Sequence, residues 1–469
     1  MTEQNLPADD LERALRDRVE LGMPATIARL SDLVRIPSVS WDAFDPAHVR
    51  ASAEHVKQLL EDTGLFPKVE IHQHEDAEGR LGQPGLVAHR PAREGFPTVT
   101  LYAHHDVQPE GNPESWNTPP YEPTIIGDRL YGRGSSDDKA GVLSHIAALE
   151  ALRDVLGEDF GLGINVFIEG EEENGSRSFA PFLAAHADEL RADAIIVADS
   201  DNPDTETPGL TVALRGNITF DITVRTLEHA WHSGMFGGAV PDAMLAMIRL
   251  LNSFWSEDGS VAVEGLITHN AEVEARSEDE FRKEAELLDG VRLISSGPVD
   301  ARLWYQPSIT VTGIDAPTVA NASNTLSSEI KVHVSCRIAP GQDVDAAAEA
   351  LERHVREHAP FGAHVEVSNL DKGNAFLVDV DGPAAQLMLA SMRDAWETEP
   401  AKTGIGGSIP FIADFVREFP DAEILVTGIE DPQTMAHSPN ESQHLGVLRR
   451  AILAEALFLA RYQRGEAAR

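Results

Sequence analysis

The strongest constraint on the fold of this 469-residue chain is the alternation of short β-like runs with helical segments. β-like runs occur at 69–72, 86–89, 99–102, 164–168 and 194–198, and helical patterns at about 139–155 and 176–190 lie between the later runs. Such alternation predicts an α/β layer built on a mostly parallel sheet. The chain is also longer than one ordinary domain, so we expect it to form two or three domains.

The pattern changes at about residue 213, where a strand–helix–strand–strand–helix–strand order begins. That order, which contains an acidic insertion, predicts a small ferredoxin-like α+β domain. The α/β pattern resumes after Pro383. We therefore expect one α/β domain formed by residues 1–212 and 378–469, interrupted by an inserted lid at 213–377.

Composition limits the classes of function. Apolar residues make up 42% and charged residues 25% of the chain, as in globular proteins, and no apolar run is long enough to span a membrane. The net charge of −39 argues against nucleic acid or an anionic membrane as partners, because both attract basic patches. The N-terminus lacks the pattern of a signal peptide, and the single cysteine, Cys336, is expected to be a buried inert thiol. We expect a cytoplasmic protein.

The segment LYGRGSSDDKAG at 130–141 is expected to organise the functional site. Its glycines interrupt regular structure, and its serines can cap the helix that follows. Asp137 and Asp138 then stand at a helix N-terminus, where negative charge is favourable. A capped helix would explain this segment if it stood alone. Histidines and carboxylates elsewhere in the chain instead suggest that Asp137 holds two metal ions together.

Those histidines and carboxylates follow predicted strands. In open α/β sheets, ligands gather beyond the carboxyl ends of the strands. The runs are AHHD at 103–106, EGEEEN at 169–174, DSDN at 199–202 and, after a strand at 423–427, HSPN at 437–440. Two histidines and three carboxylates suit two zinc ions that share one bridging carboxylate. A further glutamate that is not a ligand can take the proton from a metal-bound water.

Seven motifs, in order along the chain, carry a resemblance to a known family. They are LYAHHDVQP at 101–109, LYGRGSSDDK at 130–139, EENGS at 172–176, SDN at 200–202, HSG at 232–234, GGSIP at 406–410 and AHSPN at 436–440. Together they resemble the dinuclear-zinc family of cytosolic non-specific dipeptidase, carnosinase, carboxypeptidase G, aminoacylase and succinyl-diaminopimelate desuccinylase. The similarity runs from about Leu33 to Asn440, and it is specific because all seven motifs occur in register. It implies a zinc-exopeptidase-like sheet with a ferredoxin-like lid and dimerisation domain.

The resemblance implies a set of metal ligands. His104 and Asp201 would bind one zinc ion, Glu173 and His437 would bind the other, and Asp137 would bridge the two. Manganese or cobalt could take the place of zinc. The cofactor expected from the resemblance is therefore two divalent ions per subunit.

The resemblance also implies that Glu172 is the general base and that Asp106 orients the histidine ligand two residues before it. The run of three glutamates at 171–173 leaves the register open, and the Asn-Gly-Ser that follows fixes it. Asp199 competes with Asp201 as a ligand, and the Ser-Asp-Asn motif favours Asp201. His105 stands where relatives more often have an apolar or hydroxyl residue. We expect it to be a spare surface imidazole, with competition for the metal as the alternative.

In the lid, His232 matches a histidine that relatives lend to the partner subunit's site as an oxyanion donor, which implies a homodimer. Asn324 and Arg337 match residues that hold the substrate carboxylate, for which the guanidinium fork is well suited. Gly407 and Ser408 would line the same pocket.

These features predict a two-zinc hydrolase of small peptides, most simply a dipeptidase. The VQP at 107–109 and the YEP at 121–123 look closer to the dipeptidase branch than to the deacylases. An N-acyl-amino-acid deacylase would use the same metals and base, and the sequence leaves this alternative open. A non-catalytic metal-binding homologue is a third alternative, but it would have no need for Glu172. The chain has neither Gly-x-Ser-x-Gly nor His-Glu-x-x-His, which excludes the serine hydrolase and single-zinc protease patterns.

Overall fold

The computed structural model describes residues 7–269, 276–378, 380–406 and 410–466. Its tertiary contacts divide the chain into two compact units. The first comprises the chain up to Val212, Val378–Thr403 and the chain from Asp414, and the second comprises Ala213–Leu377 with Gly404–Ala413. The sequence analysis had assigned 404–413 to the α/β domain. Only tertiary contacts reveal its association with the second unit, among them a hydrogen bond from Arg215 Nε to the Gly406 carbonyl (3.2 Å).

The chain up to Leu214 alternates helices and strands as the pattern predicts. In order, these are α1 (Ala8–Val34), α2 (Pro46–Asp62), β1 (Val69–His72), β2 (Gly85–Arg90), β3 (Thr98–His104), β4 (Thr124–Ile126), β5 (Arg129–Tyr131), α3 (Lys139–Leu156), β6 (Gly163–Glu169), α4 (Phe179–Ala185), α5 (Ala187–Leu190), β7 (Ala194–Asp201) and β8 (Gly209–Leu214).

The second unit, which we call the lid, has its own sheet and helices. Its elements are β9 (Gly216–Arg225), β10 (Trp231–His232), α6 (Ser233–Phe236), α7 (Ala243–Asn252), α8 (Glu278–Glu284), α9 (Val299–Trp304), β11 (Ser308–Asp315), β12 (Thr325–Leu326), β13 (Glu329–Ile338), α10 (Val344–Glu357), β14 (His364–Gly373) and β15 (Phe376–Leu377). The antiparallel sheet has the order β11-β13-β9-β14, and α7 and α10 pack against it. This succession of elements and this strand order are those of a ferredoxin-like domain.

Alternate residues of β13 face the lid core, and Cys336 is one of them. Burial raises the pKa of the Cys336 thiol to about 12. A thiol with so high a pKa is almost entirely protonated at neutral pH and is a poor nucleophile. The environment of Cys336 therefore agrees with the buried, inert thiol expected from the sequence.

The final part of the chain belongs to the first unit except for Gly404–Ala413, which belongs to the second. It forms α11 (Pro383–Trp396), β16 (Ala401–Ile405), α12 (Pro410–Glu418), β17 (Glu423–Glu430), β18 (Ser442–His444) and α13 (Leu445–Tyr462).

The central sheet contains, in spatial order, β1-β2-β6-β3-β7-β17-β8. The four strands β6, β3, β7 and β17 are parallel neighbours, whereas β1, β2 and β8 join antiparallel. All seven residues of β6 are buried, as expected for a strand covered on both faces. The prediction of an α/β fold with a mostly parallel central sheet is confirmed. Because β6, β3, β7 and β17 are parallel, their carboxyl ends meet at one edge of the sheet.

Helix α3 carries the predicted central loop at its N-terminus and packs against α1 and α13. His145 of α3 has its Nδ1 2.9 Å from both carboxylate oxygens of Glu455 on α13. Its Nε2 lies 2.9 Å from the carbonyl oxygen of Tyr102 on β3. Burial disfavours a charge on His145, but Glu455 outweighs it and raises the pKa of the imidazole. These contacts fix the start of α3 relative to the sheet.

Candidate metal centre

The loop before α3 is held in place by a carboxylate from the far end of the chain. Glu441 accepts hydrogen bonds from the backbone amides of Gly134 (2.9 Å), Ser136 (3.0 Å) and Asp137 (3.2 Å). It also pairs with Arg133 at 2.6 Å, and both of these side chains are buried. The sequence analysis did not single out Glu441. The only signal was its position directly after the HSPN motif.

Asp138 ties the same loop to β3. Its side chain accepts hydrogen bonds from the Gly141 amide (3.2 Å), which caps α3, and from the His104 amide (3.1 Å). The peptide bond between Asp137 and Asp138 is cis. Asp137 and His104, two predicted ligands, are therefore positioned by one shared neighbour.

The structure brings two histidines and three carboxylates together around Asp137. Asp137 Oδ1 lies 3.2 Å from His104 Nε2, and Asp137 Oδ2 lies 3.0 Å from His437 Nε2. Glu173 Oε2 is 3.2 Å from His437 Nε2, and Asp199 Oδ1 is 3.9 Å from His104 Nε2. Two groups of potential ligands result, His104–Asp137–Asp199 and Asp137–Glu173–His437, and they share Asp137.

These donors fit a pair of divalent metal ions. His104 Nε2 is buried. It lies 3.2 Å from Asp137 Oδ1, but it makes no hydrogen bond of acceptable geometry to Asp137 or to any other described residue. Burial raises the pKa of Glu173 to about 7 and that of Asp199 to about 6, while both histidines hold the pKa of Asp137 well below its usual range. Buried carboxylates this close to one another need positive charge nearby. Imidazole nitrogens and carboxylate oxygens are ligands that zinc accepts.

The structure places Asp199 beside His104, whereas the Ser-Asp-Asn motif had favoured Asp201 as the ligand. Strands β3 and β7 are parallel, and Tyr102 lies opposite Val197. Two residues further along each strand, His104 is therefore level with Asp199. Asp201 lies roughly 7 Å beyond that point along the strand. Asp201 is instead exposed at the end of β7, opposite Glu430 of β17, and it belongs to neither group of potential ligands among the described residues.

Glu172 and Asp106 stand beside the candidate ligands. The Asp106 carboxylate accepts the backbone amides of Glu172 and Glu173, each at 3.1 Å. His104 Nδ1 lies 3.2 Å from the Asp106 carbonyl and 3.4 Å from its carboxylate. Asp106 thus contacts both the histidine and the turn that carries the two glutamates. Burial, together with the neighbouring carboxylates, raises the pKa of Glu172 well above its ordinary value.

His105 is buried, so the expectation of a surface imidazole is wrong. Successive side chains of a strand point to opposite faces, and His105 therefore points away from the side that His104 faces. Its Nε2 lies 2.8 Å from the Pro84 carbonyl, and burial lowers the pKa of the ring to about 4. It belongs to neither group of potential ligands among the described residues.

The predicted lid residues occupy different environments. His232 is exposed on β10, and its Nδ1 accepts the Gly234 amide (3.1 Å). Asn324 is exposed, and its carbonyl accepts the Ser233 amide (2.9 Å). Arg337 is half-buried on β13. Gly407 and Ser408 lie outside the described residues. The sequence analysis missed Arg215, which is buried close to Arg337.

Comparison with known proteins places this geometry in a family. The sequence model of Peptidase family M20/M25/M40 matches residues 100–461. A cysteinylglycine-S-conjugate dipeptidase of Corynebacterium striatum is 35% identical over 420 residues, which cover 88% of this chain and 90% of that protein. A β-Ala-His dipeptidase of Homo sapiens is 28% identical over 372 residues, or 73% of this chain and 70% of that protein. The solved structure of the di-peptidase Dug1p of Saccharomyces cerevisiae has a TM-score of 0.71 at 21% identity and covers 97% of this chain and 98% of that one.

The chain therefore belongs to peptidase family M20/M25/M40, and it is a peptide-bond hydrolase. The resemblance drawn from the seven motifs is confirmed. Relatives named as dipeptidases agree with the dipeptidase prediction and leave the non-catalytic alternative without support. No helix in the described ranges has both the length and the apolar character that crossing a bilayer requires.

Proposed function

We propose that this chain is a dipeptidase that uses two divalent metal ions, with zinc as the first candidate and manganese or cobalt as alternatives. His104 and Asp199 would hold one ion, Glu173 and His437 would hold the other, and Asp137 would bridge them. The observation that carries the proposal is that each carboxylate oxygen of Asp137 faces a different histidine, at 3.2 Å and 3.0 Å. A bridging carboxylate must present its two oxygens in this way.

Such a pair of ions, when bound, lowers the pKa of a water molecule and polarises the carbonyl of the bond to be cleaved. Glu172 would take a proton from the water and deliver it to the leaving amine. Its position supports this role, because Glu172 directly precedes the candidate ligand Glu173 and stands outside both groups of potential ligands. Asp106 would hold Glu172 and His104 in place through the contacts described above.

The substrate class is tested by a matched panel. The zinc-loaded enzyme is offered free dipeptides, with Cys-Gly and β-Ala-His among them because relatives carry those names, and each is paired with the N-acetyl form of its C-terminal amino acid. We expect kcat/KM to be at least about tenfold higher for the free dipeptides, a difference of 1.4 kcal/mol in transition-state binding. Preference for the acetylated partners would instead make the enzyme a deacylase that uses the same metals and base.

The lid is proposed to bind the substrate carboxylate through Arg337 and Asn324, with Gly407 and Ser408 lining the same pocket. Arg337 has no ion-pair partner among the carboxylates of the described residues, which supports a role in holding an anion. Burial lowers the pKa of its guanidinium, which nevertheless stays protonated at neutral pH. A guanidinium can bind a carboxylate with two parallel hydrogen bonds.

A homodimer is also proposed, in which His232 serves the site of the partner subunit. In support, His232 is exposed, and because its Nδ1 accepts a hydrogen bond, the neutral ring carries its proton on Nε2. That N–H could stabilise the negative charge that develops on the carbonyl oxygen.

Mixing two inactive variants tests this arrangement. Glu172→Gln and His232→Ala homodimers are each expected to be inactive, whereas the mixed dimer has one site with an intact glutamate and an intact partner histidine. Random subunit exchange should then restore up to about a quarter of the wild-type activity, because half of the dimers are mixed and half of their sites are complete. No recovery after exchange, verified by mass spectrometry of tagged subunits, would mean that His232 does not act across a dimer.

A cytoplasmic location completes the proposal. Cys336 is the only cysteine in the sequence, and it is buried and unpaired. A chain that forms no disulfide within itself has no need of an oxidising compartment.

A further inference from the structure

The lid contains a cavity of about 210 Å³ that the proposed chemistry does not use. Its walls come from the segment that follows α7, from α8 and α9 with part of the chain between them, from the start of β11 and from Arg215, which directly precedes β9. The volume equals that of roughly seven water molecules at about 30 Å³ each. Trp255, Phe281 and Leu303 give it apolar walls, which bind organic groups better than water.

Arg215 brings a buried positive charge to this cavity. Only 8% of its surface is exposed, and it donates to the carbonyls of Gly406 (3.2 Å) and Gln306 (3.4 Å) and to Ser308 Oγ (3.2 Å). All of these acceptors are neutral, and no carboxylate in the described part of the chain forms an ion pair with Arg215. Burial, and then the neighbouring Arg337, lower the pKa of Arg215 to about 10. A guanidinium buried without a counter-ion is destabilising.

Arg337 is a second positively charged side chain close to Arg215. In the lid sheet it lies opposite Ser308, the residue whose side chain contacts Arg215. Two neighbouring arginines therefore lack acidic partners among the described residues, in a chain that has 77 aspartates and glutamates against 38 lysines and arginines. With so many carboxylates in the sequence, an internal partner would have been easy to supply. Arg337 already has the substrate carboxylate as its proposed partner, so Arg215 is the arginine that suits a second anion from outside the chain.

The other charged residue of the cavity wall is already neutralised. Arg302 pairs with Glu278 at 2.8 Å and donates to the carbonyls of Gly297 (2.8 Å) and Ile294 (3.3 Å), which braces the wall. The residues that line the cavity include no aspartate or glutamate. An ammonium group would therefore find no carboxylate partner among the lining residues, which disfavours a free amino acid as the ligand.

We propose that the lid cavity binds a small carboxylic acid that has an apolar body and no free amine. Its carboxylate would lie against Arg215, and its body would lie between Trp255 and Phe281. This goes beyond the proposed function, because it concerns a second ligand within the lid and holds whatever substrate the metal centre hydrolyses. Binding can be measured without turnover, so the two proposals fail independently.

The test is calorimetric titration of the metal-loaded enzyme with 4-methylpentanoate and phenylacetate. Each acid is compared with its neutral amide and with leucine or phenylalanine, which add an amine. We expect one acid to bind per chain, and both the amides and the amino acids to bind at least about tenfold more weakly. Equal binding of acid and amide would overturn the role of Arg215, and the absence of binding by both acids would overturn the site.

Paired variants separate this cavity from the metal centre, which could also attract a carboxylate. Arg215→Met removes the charge and Leu303→Trp fills the cavity, so each should weaken acid binding at least about tenfold. Their controls are Arg225→Met, an exposed position on β9, and Leu288→Trp, where the native side chain is 76% exposed and does not line the cavity. Thermal unfolding reports whether each variant is folded, and either cavity variant alone decides the question. Acid binding that survives either substitution in a folded variant would place the ligand elsewhere and refute the proposal.

Discussion

Replacing Glu172 by glutamine is expected to lower kcat by about a thousandfold while the protein keeps two metal ions per chain. General acid–base groups contribute about 10² to 10⁴ in rate, and glutamine cannot take up the proton. Glu172 stands outside both groups of potential ligands, so its loss should leave the metals bound. Steady-state kinetics on the best dipeptide and metal analysis after dialysis measure the two quantities.

Glu171→Gln is the matched control, because Glu171 is the preceding residue in the same run of three glutamates. Its carboxylate accepts the Ser178 amide (2.7 Å) and contacts Arg177 (3.3 Å), so it supports the turn rather than the reaction. We expect it to lose about 1–3 kcal/mol of stability but to keep kcat within a few fold. If Glu172→Gln retained full activity, or if the loss of activity followed Glu171, the assignment of the base would be wrong.

Asp199→Asn is expected to remove one of the two metal ions and to lower kcat/KM at least about a hundredfold. The amide cannot supply the negative charge that an ion beside His104 needs, and even residues that only support metal ligands cost 10- to 100-fold when they are changed. Metal content is measured after dialysis against buffer that contains a fixed, submicromolar free zinc concentration.

Asp201→Asn is the control, since it makes the same chemical change two residues along the same strand. Asp201 is exposed and lies outside both groups of potential ligands, so a neutral amide can replace it at little cost. We expect two metal ions per chain and activity within about tenfold of wild type. Loss of metal in Asp201→Asn together with retention in Asp199→Asn would restore the ligand assignment made from the motifs.

The contrast between these two aspartates shows what the sequence could and could not reveal. The motifs identified the strand end, because the order of strands and acidic runs is written in the chain. The choice between residues 199 and 201 depends on the register of β3 against β7, and both positions lie on the same face of the strand. The register between two strands that are this far apart in the sequence is set by packing, which no local motif records.

Glu441 and His105 show two other limits of the sequence. Glu441 positions Asp137 although about 300 residues separate them, and a single glutamate with a distant partner leaves no periodic signal. His105 was expected at the surface, yet it is buried, and its Nε2 lies 2.8 Å from the Pro84 carbonyl, which comes from a distant part of the sequence. In contrast, the helix after Asp138 and the strand before His104 were predictable, since apolar periodicity and capping are local.

The pairing of β7 with β17 has a consequence for how this protein is made. Ala194 pairs with Glu423, so the whole lid is translated between two strands that are neighbours in the sheet. When the ribosome has produced the first half of the chain, β7 still lacks one neighbour, and an exposed strand edge can pair with other chains. The last ninety or so residues supply that neighbour and also bring His437 and Glu441. A nascent or truncated chain that ends in the lid would therefore have an open sheet and a candidate metal centre that lacks His437, which makes late truncations a hazard for aggregation as well as for activity.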